Sequence, residues 1–258
     1  MLAVGKPEGI DTRSLKDINL GGAAILEDQM QKIREMIPGT RINLSYGMTE
    51  VIGFLSCFNL NRPEDVVFAD KKTDFSGKEI PDFSYKIVDV ETEELLGPNQ
   101  KGELRIKSDC LFSNYYNVDT PELYDSEGWL KTGDVVYYDD DECFYIVDRI
   151  KELLKVKSWH VPPALLENVL LTHPAVKAAV VIGIPHDIDG DHPMGIVVLK
   201  EDAGKVTAEE IEKYVEERVQ DRQRLRAGVK IVDSIPTTAS GKVKRNAIKK
   251  QYVVKKTN

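Results

Sequence analysis

The stretch Ser45-Tyr46-Gly47-Met48-Thr49-Glu50 carries the strongest indication of fold and chemistry in this 258-residue chain. The hydroxyl of Thr49 can donate to a phosphate oxygen, and the carboxylate of Glu50 is the kind of oxygen ligand that Mg²⁺ prefers. The ring of Tyr46 has a flat face on which a nucleotide base can stack. Taken alone, the stretch fits an ordinary capped turn better than a nucleotide site.

Three other short segments carry groups that suit a nucleotide. Gly21-Gly22 follows an apolar stretch, and its bare backbone can approach a ring or a phosphate closely. Asp134 follows Thr132-Gly133 and can accept from both ribose hydroxyls. Lys242 ends a glycine loop, where its amine can neutralise charge that develops on a reacting carboxylate and phosphate. The plainer interpretations are a strand-to-helix turn, a hairpin turn in which Asp134 caps backbone, and a lysine-rich surface loop.

The secondary-structure pattern divides the chain at Asp148-Arg149. Before this point it predicts a helix over 27–36, strands and turns over 51–90, and half-buried strands at 83–88 and 102–106. After it, the pattern predicts helices over 163–172 and 207–220 and strands at 176–183, 195–199 and 229–232. We therefore expect a mixed α/β and α+β fold with domains at 1–148 and 149–258, the second a small α+β domain.

Composition disfavours several classes of function. The net charge of −8 argues against nucleic acid as a general partner. No window holds the ~18 consecutive apolar residues of a membrane-spanning helix. Cys57, Cys110 and Cys143 have neither metal nor redox spacing, so we expect buried thiols in a reducing compartment. A cytoplasmic location is expected, and a peroxisomal one remains open although the chain has no Ser-Lys-Leu terminus.

One polar cluster contains residue types that bind metals. It consists of His186, Asp187, Asp189, Asp191 and His192. Its glycine falls too early for an EF-hand calcium loop, and no distal glutamate completes such a loop. We expect a polar turn between two strands. In the tail at 242–256, lysines alternate with apolar residues, which predicts a solvated helix face rather than a nucleic-acid patch.

In their order along the chain, these segments resemble the adenylate-forming superfamily of acyl-CoA synthetases, 4-coumarate–CoA ligases and beetle luciferases. The resemblance covers nearly the whole chain and rests on Gly21-Gly22-Ala23, Tyr46-Gly47-Met48-Thr49-Glu50, Gly102-Glu103-Leu104, Gly128-Trp129-Leu130-Lys131-Thr132-Gly133-Asp134, Asp148-Arg149-Ile150-Lys151-Glu152, Lys155, Lys157, His173-Pro174-Ala175-Val176 and the loop ending at Lys242. Such enzymes first join ATP and a carboxylic acid into an acyl-adenylate. A small C-terminal domain then rotates for thioester formation with CoA, whereas luciferases oxidise the adenylate and emit light.

The resemblance implies that 1–148 is the end of a large AMP-binding domain, with an α/β piece and a β-barrel-like subdomain. It implies ATP or AMP and Mg²⁺ as cofactors. The implied adenine pocket is formed by Gly21, Gly22 and Ala23, with Tyr46 and Gly47 beside the base. Thr49 would contact the α-phosphate, Glu50 the Mg²⁺, and Asp134 the ribose hydroxyls.

The resemblance also implies that 149–258 is a mobile cap, with Asp148 as its hinge and Arg149 as a second ribose contact. Lys242 would serve adenylation, and Lys155, on the opposite face of the cap, would serve thioester formation with CoA. Withdrawing one lysine while the other acts requires a moving domain.

The superfamily's Ser/Thr/Gly-rich phosphate loop, which ends in a lysine, is not among these residues. That loop holds the β- and γ-phosphates, so we expect this chain alone to be inactive and to bind only the adenosine end weakly. The chain is then either an acid–CoA ligase in truncated form or a non-catalytic remnant that binds or regulates a partner; luciferase activity is a weaker alternative. Apolar surface left exposed would favour association.

Three substitutions depart from the superfamily pattern: Ser158 and Ser45 stand where glycine is usual, and Leu165 stands where glutamate is usual. A side chain at Ser158 would narrow the CoA tunnel or disfavour a φ above zero. We hypothesise that a full-length parent adenylates acids but transfers them to CoA poorly. The identity of the acid stays open.

Overall fold

The computed structural model describes residues 5, 8–22, 25, 27–71, 75–157, 159–239 and 241–253. The chain forms two compact units, the first ending at Val147 and the second beginning at Asp148. Within the described ranges, no helix is both long enough and apolar enough to cross a membrane. The predictions for Ala23 and Ser158 fall outside the described residues.

The first unit begins with a small parallel sheet and one helix. Strand β1 (Asp17–Leu20) pairs in parallel with β2 (Arg41–Leu44), and α1 (Glu27–Met36) connects them. The helix has the predicted bounds, because Met30 and Ile33 recur at helical spacing and bury one face against β2. This arrangement brings the carboxyl ends of two parallel strands to one edge of the sheet.

The rest of the first unit consists of two antiparallel sheets and a helix. The three-stranded sheet has the order β3 (Tyr46–Met48), β4 (Gly53–Cys57), β5 (Lys78–Glu79). The four-stranded sheet has the order β6 (Ser84–Val88), β7 (Gly102–Lys107), β8 (Leu130–Tyr138), β9 (Phe144–Arg149). The predicted strands at 83–88 and 102–106 are confirmed. The core between these elements is built mainly from Leu55, Ile87, Leu104, Leu130 and Val136.

The prediction of only strands and turns over 51–90 is wrong, because helix α2 (Pro63–Lys71) lies inside that range. Pro63 occupies its first position, where the missing N–H is no loss. Glu64 and Asp65 follow in the first turn, where negative charge suits the helix dipole. In the prediction from sequence, the turn-forming residues around this segment outweighed these signals for the start of a helix.

The expectation that all three thiols are buried is also wrong. Cys143 is buried, Cys57 is half-buried and Cys110 is exposed. Burial raises the pKa of the Cys57 thiol, and the nearby charge of Asp65 adds to the effect. Cys110 lies in a turn after β7, where no strand covers it.

A buried ion network stabilises the four-stranded sheet around Arg105, whose side chain is only 6% exposed. Its partners are Glu93 at 2.7 Å, Glu103 at 3.1 Å and Asp125 at 3.2 Å. Burial opposes ionisation of Asp125. The N–H of Trp129 and the charge of Lys86 outweigh that effect and hold the pKa of Asp125 well below its usual range.

The second unit is a five-stranded sheet with helices on both faces. Its strands are β10 (Leu154–Val156), β11 (Trp159–Val161), β12 (Val176–His186), β13 (Gly190–Leu199) and β14 (Val229–Ile231). Strand β13 pairs with β12 on one edge and with β10 and β14 on the other. The helices are α3 (Pro163–Leu171), α4 (Ala208–Glu216) and α5 (Arg245–Tyr252).

The helices of the second unit follow the sequence predictions. Thr207 and Glu210 form the predicted capping box of α4. Helices α3 and α4 cover one sheet face, and Ile248 of α5 packs on the other face against Val180 and Ile182. Helix α5 lies within the tail predicted to present a solvated helix face, with Ile248 as its buried residue.

Replacing Arg105 with methionine should lower the free energy of unfolding by about 3 kcal/mol, because Glu103 would stay buried without its ion-pair partner and Asp125 would keep only Lys86. Urea unfolding at pH 7 measures this. The control is Arg13→Met, since the Arg13–Asp11 pair is exposed and should contribute almost nothing. Equal effects of the two substitutions would contradict the network's role.

Replacing Gly47 with alanine should lower the free energy of unfolding by about 2 kcal/mol or more, because a Cβ there would overlap the carbonyl oxygen of Gly53 on β4. The matched control is Gly53→Ala in the same hairpin, where a Cβ meets nothing closer than 3.8 Å. That variant should change stability by less than about 1 kcal/mol. If chemical denaturation gives both variants the same midpoint, the close approach of β3 and β4 is not as described.

Candidate functional site

The loop after β1 and the start of β3 lie against each other. A Cβ on Gly21 would be 2.8 Å from the carbonyl oxygen of Ser45 and 3.1 Å from its Oγ. The amide of Ser45 donates to the carbonyl of Leu20 at 2.8 Å, which fixes this approach. Gly22, at φ +82°, adopts a left-handed conformation that favours glycine. The glycine loop therefore adjoins the Tyr46 segment.

Tyr46 and Asp134 meet although they are 88 residues apart. The Tyr46 hydroxyl donates to Oδ2 of Asp134 at 2.5 Å. Asp134 is only 4% exposed, and the Tyr46 ring is half-buried. A hydrogen bond to an ionised group is stronger than one between neutral groups. A carboxylate accepts at both oxygens, so Asp134 can take further donors alongside Tyr46.

The hairpin-turn interpretation of Thr132-Gly133-Asp134 is wrong, because these residues lie inside β8. Gly133, at φ +69°, forms part of an irregularity in the pairing of β8 with β7. Thr132 Oγ1 donates to the Leu104 carbonyl at 2.7 Å and accepts from the Asp134 amide at 3.1 Å. The amide of Gly133 donates to Glu103 at 3.3 Å. The bulge thus directs Asp134 toward Tyr46.

Thr49 and Glu50 follow β3 in a single 3-10 turn. Thr49 is exposed, and the half-buried carboxylate of Glu50 accepts a hydrogen bond from the Tyr115 hydroxyl. The backbone of Glu50 also accepts from the amide of Phe112 at 2.8 Å. A cation at Glu50 would compete with Tyr115. Sequence reasoning assigned no role to Tyr115, because its contact with Glu50 is long-range.

The first unit therefore brings four of the predicted site residues together: Gly21, Tyr46, Gly47 and Asp134. Gly47 is required where β3 passes Gly53 of β4, next to Tyr46. Of the other predicted residues, Asp148, Arg149, Lys155 and Lys242 belong to the second unit.

In the second unit, the Asp148 carboxylate holds two backbone amides. Oδ1 accepts from Arg149 at 2.7 Å, and Oδ2 accepts from Ala164 in the first turn of α3 at 3.1 Å. Burial raises the pKa of Asp148, while the two N–H groups and the charge of Arg245 act in the opposite direction. The carboxylate next to the division between the units is therefore fixed to α3.

Lys242 ends a tight loop that two sets of contacts position. The amide of Lys242 donates to Thr238 Oγ1 at 3.1 Å, and Gly241 has φ +84°. Three residues later, Arg245 donates to Glu167 at 2.5 Å and to the carbonyl of Val181 at 2.8 Å. The Lys242 side chain is exposed. Sequence reasoning assigned no role to Arg245, because its contact with Glu167 is long-range.

Lys155 lies in β10 between two core residues, Leu154 and Val156. Strand alternation therefore points its exposed side chain away from the core of α3 and α4. Its amide donates to Asp191 Oδ2 at 3.0 Å. Gly190 packs so closely on the Lys155 carbonyl that a Cβ would overlap it. Leu165, at the position where the superfamily has glutamate, is 36% exposed on α3.

Comparison with known sequences identifies two matching families. The AMP-binding enzyme family matches residues 1–116, and the AMP-binding enzyme C-terminal domain matches residues 165–242. The chain is 40% identical over 243 residues to luciferin 4-monooxygenase of Nipponoluciola cruciata, covering 93% of this chain and 42% of that protein. It is 34% identical over 254 residues to 4-coumarate–CoA ligase 1 of Glycine max, covering 96% of this chain and 85% of that protein.

A solved structure also matches both units in sequence order. It is o-succinylbenzoate CoA synthetase of Bacillus subtilis in complex with its acyl-adenylate intermediate, with a TM-score of 0.77 and 31% identity over 95% of this chain and 47% of that one. The same enzyme has been solved with ATP and a magnesium ion. The chain thus spans under half of this synthetase and of the luciferin monooxygenase.

These matches confirm the predicted resemblance and the mixed α/β and α+β fold class. They agree with the order of the motifs along the chain, from the glycine loop at Gly21 to the loop at Lys242. The chain belongs to the adenylate-forming family of AMP-binding enzymes, which includes acyl-CoA ligases and luciferases.

Proposed function

We propose that this chain supplies the adenosine-binding half and the mobile cap of an ATP-dependent carboxylic acid–CoA ligase. The observation that carries the proposal is the hydrogen bond between Tyr46 and Asp134, with the glycine loop at Gly21 beside Ser45. A flat ring, a buried carboxylate and bare backbone are the groups that an adenosine needs around it. On this proposal, residues 1–148 belong to the large AMP-binding domain and residues 149–258 form the cap.

The adenosine would be held mainly by groups that the first unit brings together. The base would stack on Tyr46 and lie along Gly21, Gly22 and Ala23, while its ribose hydroxyls donate to Asp134. Arg149 would provide a second contact to the ribose. The buried position of Asp134 supports this role, because a carboxylate removed from water binds a donor more strongly than an exposed one.

The phosphate end would lie over Thr49 and Glu50. Thr49 would donate to the α-phosphate, and Glu50 would ligate Mg²⁺ through a carboxylate oxygen. Binding of ATP and magnesium ion by the related Bacillus subtilis synthetase supports this assignment. The Tyr115 hydroxyl, now on Glu50, would turn away when the cation binds.

The cap would bring two lysines into use in turn. Lys242 would neutralise charge during adenylation, and Lys155 would serve thioester formation with CoA after rotation about Asp148. The contacts of Arg245 and Asp148 support rotation of the cap as one rigid body, because they tie α5 and the hinge residue to α3. A ligase rather than a luciferase is favoured because the relative that this chain covers over 85% of its length is a 4-coumarate–CoA ligase.

The twenty residues before Gly21, where the superfamily's phosphate loop belongs, contain no Ser/Thr/Gly-rich loop ending in lysine, so we propose that the 258 residues do not complete adenylation by themselves. A second candidate function is a non-catalytic binding module. Two observations favour it: among the described residues the parallel sheet has two strands, β1 and β2, and Ile52 and Phe54 are 84% and 47% exposed. Parallel sheets are normally larger and covered on both faces, so this region suits an additional segment or partner.

Replacing Asp134 with asparagine should weaken binding of AMP by about tenfold or more, because a charge-assisted acceptor for the ribose is lost. Titration calorimetry with AMP and the 258-residue chain measures this. The control is Asp119→Asn, an exposed aspartate of the same unit. AMP binding that is equally tight in both variants, or absent in the unaltered chain, would overturn the adenosine site.

Carboxylate-dependent exchange of pyrophosphate into ATP should not exceed background with the 258-residue chain. The Lys242→Ala variant defines that background, because it lacks the lysine proposed for adenylation. A panel of fatty and cinnamic acids covers the acids of related ligases. Exchange well above the variant with any of them would show that these residues are a complete adenylating enzyme and would contradict the proposed dependence on a missing phosphate loop.

A further inference from the structure

The turn between β12 and β13 gathers two imidazoles and a carboxylate on one side of the hairpin. In the strand register, His186 pairs with Gly190 and Ile184 pairs with His192. This places His186 and His192 diagonally on one face, with ring centroids 3.9 Å apart and planes 13° apart. Asp189 lies in the turn between them. One ligand atom of each of these three residues lies within 4.8 Å of the other two.

One ring nitrogen of each histidine lies near the same carboxylate oxygen. Nε2 of His192 is 2.8 Å from Oδ2 of Asp189, and Nδ1 of His186 is 3.9 Å from it. The Nδ1 atom of His186 accepts only from backbone amides, that of Asp189 at 3.2 Å and that of Ile188 at 3.4 Å. These hydrogen bonds are long, so an electron-pair acceptor can replace them at low cost.

The surrounding contacts hold the turn in place. The carbonyl of Asp189 accepts from the amide of Lys157 at 2.8 Å, and Asp191 Oδ2 accepts from the amide of Lys155 at 3.0 Å. Gly190, at φ +81°, packs closely on the Lys155 carbonyl. The turn is therefore attached to a neighbouring strand, so its backbone can stay in place while the two stacked rings rotate about their side-chain bonds to direct both nitrogens at one ion.

Local charge also favours a cation. Three aspartates, Asp187, Asp189 and Asp191, lie in or next to this turn. Lys157 Nζ is 4.0 Å from Oδ1 of Asp189, on the oxygen that does not face the histidines. The carboxylate can thus keep this ion pair while Oδ2 binds a metal.

We propose that His186, Asp189 and His192 form a binding site for a first-row transition-metal ion of the Zn²⁺ type, with water completing its coordination. Two imidazoles and one carboxylate suit Zn²⁺, Co²⁺, Ni²⁺ and Cu²⁺, and they do not suit Ca²⁺, which takes six to eight oxygen ligands. This agrees with the absence of an EF-hand loop pattern in the same residues. The bound ion would cross-link the two long strands of the cap beside Lys155.

Titration of the 258-residue chain with Co²⁺ alone tests the site, because bound Co²⁺ has a visible absorption spectrum. One equivalent should give a saturable band typical of nitrogen and oxygen ligands, and Zn²⁺ should displace it. His192→Asn and Asp189→Asn should each weaken Co²⁺ affinity by about tenfold or more. The control is His160→Asn, which removes an exposed histidine elsewhere in the same unit.

Three results would overturn the proposal. The first is no saturable Co²⁺ spectrum with the unaltered chain. The second is an equal loss of affinity in His160→Asn and His192→Asn. The third is an intense thiolate-to-metal band, which would place the ion on a cysteine such as the exposed Cys110. Circular dichroism of each variant verifies the fold, and the spectrum of the unaltered chain decides the question even where a variant misfolds.

Discussion

Strand β3 passes its neighbours at distances that only glycine allows, and the first unit is organised around that constraint. Gly47 leaves no room for a Cβ against Gly53, and Gly21 approaches Ser45 almost as closely. Between these two approaches, Tyr46 reaches Asp134 across 88 residues of sequence. A larger residue at Gly47 or Gly21 would push β3 outward and separate the ring from the carboxylate. Steric limits at the two glycines therefore determine where Tyr46 and Asp134 lie, and the hydrogen bond between these two residues then orients their side chains.

The second unit depends on a different set of contacts, which hold its own helices together. On the proposed function this unit rotates, and these contacts would keep its parts in fixed positions. Arg245, which follows α3 in the sequence, connects α5 to Glu167 of α3. Asp148, which precedes α3, accepts a hydrogen bond from an amide in the first turn of the same helix. The partly buried carboxylate and guanidinium hold each other in a fixed geometry. The loop that ends at Lys242 is therefore attached to the same helix as the residue at the division between the units.

Local signals in the sequence predicted the elements that depend on local physics. Helix α1 and the Thr207 capping box follow from apolar spacing and end residues, and both were predicted correctly. The bulge at Gly133 was mistaken for a hairpin turn, because a glycine of positive φ fits either until the partner strand is known. The contacts of Tyr115 with Glu50 and of Arg245 with Glu167 span 65 and 78 residues, beyond any local pattern. The order of the motifs along the sequence indicated which residues would have which role at the site. That these residues lie close together is visible only in the folded structure.

Photoaffinity labelling with 8-azido-AMP tests most directly whether the segments around Tyr46 and Asp134 form one adenosine site. Tryptic peptides of the labelled chain should carry the adduct in the segments at 42–71 and 132–149, and excess AMP should prevent the labelling. Loss of both adducts together in a Gly47→Ala variant that remains folded would show that they share one pocket. Labelling of peptides that contain neither segment, or labelling that AMP does not prevent, would contradict the account.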